Sequence, residues 1–168
     1  MEKIDKAKSQ LTVTRIFDAP RELVFETFTT CEHLKNWWGP RTWPTAECAI
    51  DFRPGGVWHY CLRGPNGEEA WGKAVYRDIV RPERIVYVDQ FSDRDGNTAP
   101  GMPESTIDMR FAAQGTKTKF TSVTTYASPS DLQKVLDMGV VAGFNETLDR
   151  LVELLARLQK ERGPGRKK

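Results

Sequence analysis

The sequence predicts an α+β domain: a curved antiparallel sheet of about six to seven strands wrapped around one long C-terminal helix, with two short helices after the first strand. Three observations predict it. Strand-like segments follow one another, separated by turn residues and not by long helical patterns, which describes a meander and not βαβ units. One apolar stripe of helical period runs over about 30 residues near the C-terminus. Two helix-start signals stand back to back after the first strand-like segment.

Leu11 to Phe17 opens the domain as a strand, because β-branched residues dominate and its side chains alternate between two faces. Asp18 is a good helix N-cap, and Pro20 is tolerated in a first turn where its missing N–H costs nothing. Leu23, Val24 and Phe28 then recur at helical spacing. Thr29 with Glu32 forms a T-x-x-E capping box for a second short helix through His33, Leu34 and Trp37. The segments 43–52, 56–63, 70–80, 83–91, 105–112 and 117–126 read as strands. Pro54-Gly-Gly56, Gly64-Pro-Asn-Gly67, Arg81-Pro82 and Gly115 mark turns between them, and Asp93–Pro103 is a long loop. Ser128-Pro-Ser-Asp131 caps the final helix. Its apolar face runs through Leu132, Val135, Leu136, Val140, Phe144, Leu148, Leu151, Leu155 and Leu158. A strongly curved sheet and a straight helix cannot touch everywhere, so a void is expected between them near the short helices.

The 168 residues fit one domain, assigned to 11–158, with a flexible N-terminus at 1–10 and a disordered basic tail at 159–168. A net charge of +2 gives no strong field and no reason to expect nucleic acid. Cys31, Cys48 and Cys61 are odd in number and lack a CxxC spacing, which argues against a disulfide framework and for a reducing compartment. The N-terminus has no apolar signal-peptide core, and no run is long enough to span a membrane. A cytoplasmic location is the expectation.

Aromatic side chains are the candidate wall of the void. Trp58, Tyr60 and Leu62 form the more apolar face of their strand, so they are assigned inward. Tyr87 and Phe91 share a face with Asp89, and Trp37 and Trp38 end the second short helix near the expected mouth. Trp71, Met109, Val140 and Phe144 complete the predicted ligand-binding residues. Gly139 and Gly143, four apart on the long helix, each cost about 1 kcal/mol relative to Ala. Close packing is the preferred reason, and room for a ligand beside Val140 and Phe144 is the other. Asp51 and Arg53 are read as a surface ion pair.

No catalytic residue is assigned. The chain has no nucleophile elbow, no phosphate-cradling loop and no dinucleotide fingerprint. His59 with Cys61, and Cys31 with His33, are pairs, whereas a zinc site needs three or four convergent ligands. No metal or cofactor is therefore implied. Asp89, Asp108, Glu104 or Tyr87 would be the groups for acid–base work if any lay inside the void.

Several ordered motifs carry a family resemblance. The run Arg15-Ile-Phe-Asp-Ala-Pro-Arg-Glu-Leu-Val-Phe25 resembles the opening of the SRPBCC superfamily, the START-like and birch-pollen-allergen-like proteins. Trp37-Trp-Gly-Pro40, Asp51-Phe-Arg-Pro-Gly-Gly-Val-Trp58, Arg63-Gly-Pro-Asn-Gly67, Pro82-Glu-Arg-Ile-Val-Tyr87 and Gly143-Phe-Asn-Glu-Thr-Leu-Asp-Arg-Leu151 are similar to the branch named after the activator of the heat-shock-protein-90 ATPase. The resemblance spans roughly residues 12–158. It implies a helix-grip fold with a deep cavity for a small hydrophobic molecule, and it carries no fixed catalytic motif. At 168 residues the chain is too short for the additional N-terminal domain of the eukaryotic co-chaperone, so the branch name is not read as a chaperone function. The expected role is a small-molecule binding protein. A cyclase-, aromatase- or hydrolase-like enzyme and a protein-interaction module, including a homodimer, are the alternatives.

Overall fold

The computed structural model of the protein describes residues 1–162. Strand formation follows the alternation in the sequence and gives one antiparallel sheet of eight strands, in the order β1-β2-β8-β7-β6-β5-β4-β3. The strands are β1 (Glu2–Asp5), β2 (Gln10–Phe17), β3 (Thr45–Ile50), β4 (Val57–Arg63), β5 (Glu69–Val80), β6 (Arg84–Ser92), β7 (Ser105–Gln114) and β8 (Lys117–Tyr126). The short helices α1 (Arg21–Glu26) and α2 (Cys31–Leu34) follow β2, and α3 (Pro129–Asp137) and α4 (Val140–Arg162) end the chain.

The eighth strand corrects the expected count and lies within residues 1–10. Glu2–Asp5 pairs antiparallel with the first half of β2, with Ile4 opposite Leu11, because β2 would otherwise be an open edge there. The basic tail expected at 159–168 begins within a helix. Helix α4 continues to Arg162, and residues 163–168 lie outside the described residues. The single C-terminal helix is broken: Gly139 adopts φ +85°, which ends α3 and restarts the chain as α4. Ser128 caps α3 as its sequence indicates, its Oγ accepting the Asp131 N–H at 3.1 Å.

Two other caps move. Thr30 and not Thr29 caps α2, accepting the His33 N–H, and Pro20 and not Asp18 precedes α1. Local pattern leaves a choice between adjacent Thr residues that the entry angle of the helix resolves. The cysteine reading is also overturned. Cys31 and Cys48 form a disulfide that ties α2 to β3, while Cys61 is free and buried. The two lie 17 residues apart, so only the return of the chain along β3 brings them together. The expected compartment therefore loses its cysteine argument. No helix among the described residues is long and apolar enough to cross a membrane.

The inner face of the sheet is filled unevenly. At the end near α1 and α2 it is solid. Phe17, Phe25, Phe28, Phe111 and Phe120 pack edge-on, tilted or, for Phe28 on Phe120, stacked, with ring centroids 5.1–5.8 Å apart. Leu148, Leu151, Leu154 and Leu155 of α4 close this core and are buried. Toward the N-terminus of α4, Val140, Val141 and Phe144 are only half-buried. That end of the molecule contains the hollow.

Candidate functional site

A cavity of about 250 Å³ lies between the sheet and the first turns of α4. Its apolar walls come from Leu11 and Val13 of β2, Leu62 of β4, Ile107 and Met109 of β7, and Val140 and Phe144 of α4. Trp38, Gly39 and Pro40, the segment leaving α2, close one side. A second hollow of about 210 Å³ adjoins it and shares Asp89, Ser105, Tyr126 and Val140, adding Phe91, Pro103, Val135 and Met138.

The void exists because α4 lacks a side chain where it crosses the sheet. A Cβ on Gly143 would meet no atom within 4 Å. The preferred reading of this glycine as a close-packing device is corrected: it leaves space. Gly139 likewise has nothing within that range, and its positive φ accounts for it. The wall segment is held from the helix. Arg150 donates to the carbonyls of Gly39 at 2.8 Å, Asn36 at 3.1 Å and Trp38 at 3.4 Å. Burial pushes the Arg150 guanidinium below its usual pKa, and the three carbonyls accept from its Nη1 and Nη2.

The structure brings together seven of the ten residues singled out from the sequence. Trp38, Tyr60, Tyr87, Met109, Val140 and Phe144 line the main cavity, and Phe91 lines the adjoining one. Trp58 stands behind this wall, its ring 4.8 Å from Trp38 and 4.6 Å from Tyr60. Two are corrected. Trp37 turns away into the solid core, where Nε1 donates to the Thr27 carbonyl at 3.0 Å. Trp71 lies on the opposite face of β5 from Gly72 and Ala74, against His59 and beneath Arg94. Adjacent tryptophans on a helix end must diverge, and a strand residue one place out of phase faces the other side.

Polar groups in the wall are few. Ser105, Ser122, Thr124 and Thr147 supply hydroxyls, as do Tyr60, Tyr87 and Tyr126. Asp89 is the one carboxylate, and no Lys, Arg or His lines either hollow among the described residues. Tyr60 reaches Asp89 from two strands away, its Oη donating to Oδ1 at 3.3 Å. Gly72 stands between them on β5, paired with Tyr60 on one side and Phe91 on the other. A Cβ there would come within 2.6 Å of the Tyr60 Cζ and Oη. The missing side chain is therefore the notch in which the phenol lies.

Burial raises the Asp89 carboxyl from 3.8 to about 7, and the Tyr60 hydroxyl bond opposes part of that rise. Burial and the neighbouring Asp89 push the Tyr60 and Tyr87 hydroxyls well above their ordinary value. Tyr126 is raised to about 12 by the same two causes. The other acids named from the sequence lie elsewhere. Asp108 is held low by Arg84, which donates to it at 2.8 and 3.1 Å, and Glu104 is exposed and accepts from Gln90. Asp51 and Arg53 form the exposed ion pair expected of them, at 2.9 Å. No group of three or more potential metal ligands converges among the described residues. The Asp89–Gly72–Tyr60 arrangement was not legible in the sequence, since each residue comes from a different strand. The available signal was a glycine inside a strand.

Comparison with known proteins places this architecture. Among curated proteins none matches the chain. Solved structures do. Protein Ms6760 from Mycobacterium smegmatis is 34% identical with a TM-score of 0.86, over 92% of this chain and 95% of that one. A protein from Staphylococcus epidermidis is 31% identical with a TM-score of 0.78, over 94% and 95%. A protein from Arthrobacter aurescens is 25% identical with a TM-score of 0.88, over 94% and 91%. Residues 18–156 match the family described as Activator of Hsp90 ATPase homolog 1-like protein. The solid phenylalanine core, the hollow beneath α4 and these matches agree, and the chain belongs to the Activator of Hsp90 ATPase homolog 1-like family, with its SRPBCC fold.

Proposed function

We propose that the protein binds a small hydrophobic molecule in the cavity between the sheet and α4. The observation that carries the reading is a hollow of about 250 Å³ whose walls are mainly apolar and aromatic, kept open by Gly143. With its adjoining hollow of about 210 Å³ it falls in the size range of ordinary ligand pockets, about 300–1,000 Å³. Removing apolar ligand surface from water drives such binding, at about 25 cal/mol per Å² before the costs of association. The walls are largely preformed, because Arg150 fixes the Trp38–Pro40 segment and the strands and α4 fix the remainder.

Native mass spectrometry followed by organic extraction tests this. The expected result is a hydrophobic compound at near-stoichiometric amount, lost when Gly143→Leu fills the hollow. A protein that co-purifies with nothing, and that binds no apolar probe, overturns the reading.

A second reading is favoured by one observation. An acid–base enzyme needs ionisable groups inside the cavity, and Asp89, raised to about 7, has the Tyr60 hydroxyl beside it. Chemical conversion of the extracted compound by the wild-type protein, and its loss in Asp89→Asn, would support this reading over simple carriage.

A further inference from the structure

We propose that the cavity selects a hydrophobic ligand bearing one protonated amine, whose N–H donates to the Asp89 carboxylate. This rests on the cavity being a ligand site and names the chemical class it takes.

The walls argue for a cation by what they hold. Among the described residues lining the two hollows, Asp89 is the only ionisable side chain other than the tyrosines, and the other polar side-chain groups are hydroxyls and the Trp38 indole N–H. A ligand carboxylate or phosphate would meet no Lys, Arg or His there and would face a like charge. Such a group buried without a partner is strongly disfavoured. An ammonium meets the opposite sign.

Asp89 is also short of partners. A carboxylate has about four acceptor positions. Its one side-chain hydrogen bond comes from Tyr60 at 3.3 Å, longer than the usual range of about 2.5–3.0 Å for O–H···O bonds, and no ion pair engages it among the described residues. Its place in both hollows lets a ligand in either one reach it. The same cavity is lined by the rings of Trp38, Tyr60, Tyr87 and Phe144, and aromatic rings attract organic cations through their π faces. Gly72 adds the structural argument, because a β-strand glycine weakens a sheet. Here its effect is to seat the Tyr60 phenol against Asp89, with a gap that any Cβ would close to 2.6 Å.

The titratable groups facing Asp89 are Tyr60 from β4, Tyr87 from its own strand and Tyr126 from β8, and none of these carries a positive charge. An ammonium is then the group that would hold Asp89 ionised at neutral pH. Below about pH 7 its binding would expel the Asp89 proton.

Three ligands with one cage test this: adamantylamine, adamantanol and adamantanecarboxylate, titrated calorimetrically into the purified protein. The expected order places the amine at least about tenfold tighter than the alcohol, about 1.4 kcal/mol, with the carboxylate weakest. In Asp89→Asn the amine falls to the affinity of the alcohol, while the alcohol itself changes little. Near pH 6, repeating the amine titration in buffers of different ionisation enthalpy reports the release of close to one proton. Equal binding of all three, or amine affinity unchanged in Asp89→Asn, overturns the amine preference and leaves the hydrophobic site standing. Failure of all three to bind overturns both.

Discussion

Tyr60 crosses β5 to reach Asp89, its Oη donating to the Asp89 Oδ1 at 3.3 Å over the bare backbone of Gly72. The three residues lie on three neighbouring strands, so the contact exists only because pairing registers β4, β5 and β6 as they are. This hydroxyl is the one side-chain hydrogen bond that favours the ionised form of a half-buried, cavity-facing carboxyl. Losing it by Tyr60→Phe, or displacing it by Gly72→Ala, raises the Asp89 pKa above about 7. A carboxyl-carbon NMR titration reads the change directly. A lower or unaltered value in both variants would contradict the role given to the phenol.

Asp89 also gives stability a pH dependence of definite sign. Its folded pKa is raised from 3.8 to about 7. Between those values the folded state retains a proton that the unfolded state has lost. Stability from this group is therefore complete below the unfolded value, falls as pH rises through the window, and is level above it. Asp89→Asn removes that slope. Urea unfolding is expected to find the variant more stable than the parent at about pH 8, by on the order of 2 kcal/mol once the surface Asp89 opens to the cavity is allowed for. The difference closes toward about pH 4.

Arg150 ties the cavity wall to α4 through the carbonyls of Asn36, Trp38 and Gly39. Arg150→Ala removes charge-assisted bonds and leaves these carbonyls to water, a loss of about 1–2 kcal/mol. Backbone hydrogen exchange at Trp38 and Gly39 should rise more than exchange in β7 or β8. An equal rise everywhere would mean that the substitution only loosens the whole molecule.

Gly143 separates stability from binding. Alanine there meets no atom within 4 Å, so Gly143→Ala is expected to raise stability by about 1 kcal/mol through helix propensity alone. Leucine at the same place fills part of the hollow beside Val140 and Phe144. Chemical denaturation of the two variants, with ligand titration of both, distinguishes the effects. A destabilised Gly143→Ala would show that the space is not free.

The disulfide supplies a further test. Cys31 and Cys48 close a loop with a sequence separation of 17. Loop-closure entropy assigns about 3 kcal/mol to a crosslink of this span. Cys31→Ser is expected to lower stability by that order under oxidising conditions, and to match the wild type once reductant is added. Peptide mapping without reductant should recover the linked pair.

Much of the fold is legible in local chemistry. Alternating β-branched residues mark β2, the Ser128–Asp131 cap marks α3, and the repeated leucines of α4 mark the face that covers the sheet. Trp58, Tyr60 and Leu62 face inward because strand alternation leaves two choices and apolarity selects one. Trp71 misleads for the same reason. Its size makes it a candidate, but its parity on β5 places it outside, beside His59 and Arg94.

The sequence by itself determined the order of β2 to β8 with the two short helices and which strand faces are apolar, because these depend on periodicity and on neighbours a few residues apart, and its ordered motifs carried the family resemblance. Only the tertiary structure decided the rest. Glu2–Asp5 becomes a strand because β2 offers an edge, and Cys31 meets Cys48 because β3 returns beside α2. Asp89 becomes an unusual carboxyl because strand register surrounds it with apolar wall and lays one phenol over Gly72. Burial, and with it the charge state of a side chain, depends on residues distant in the chain, and no local pattern contains that information.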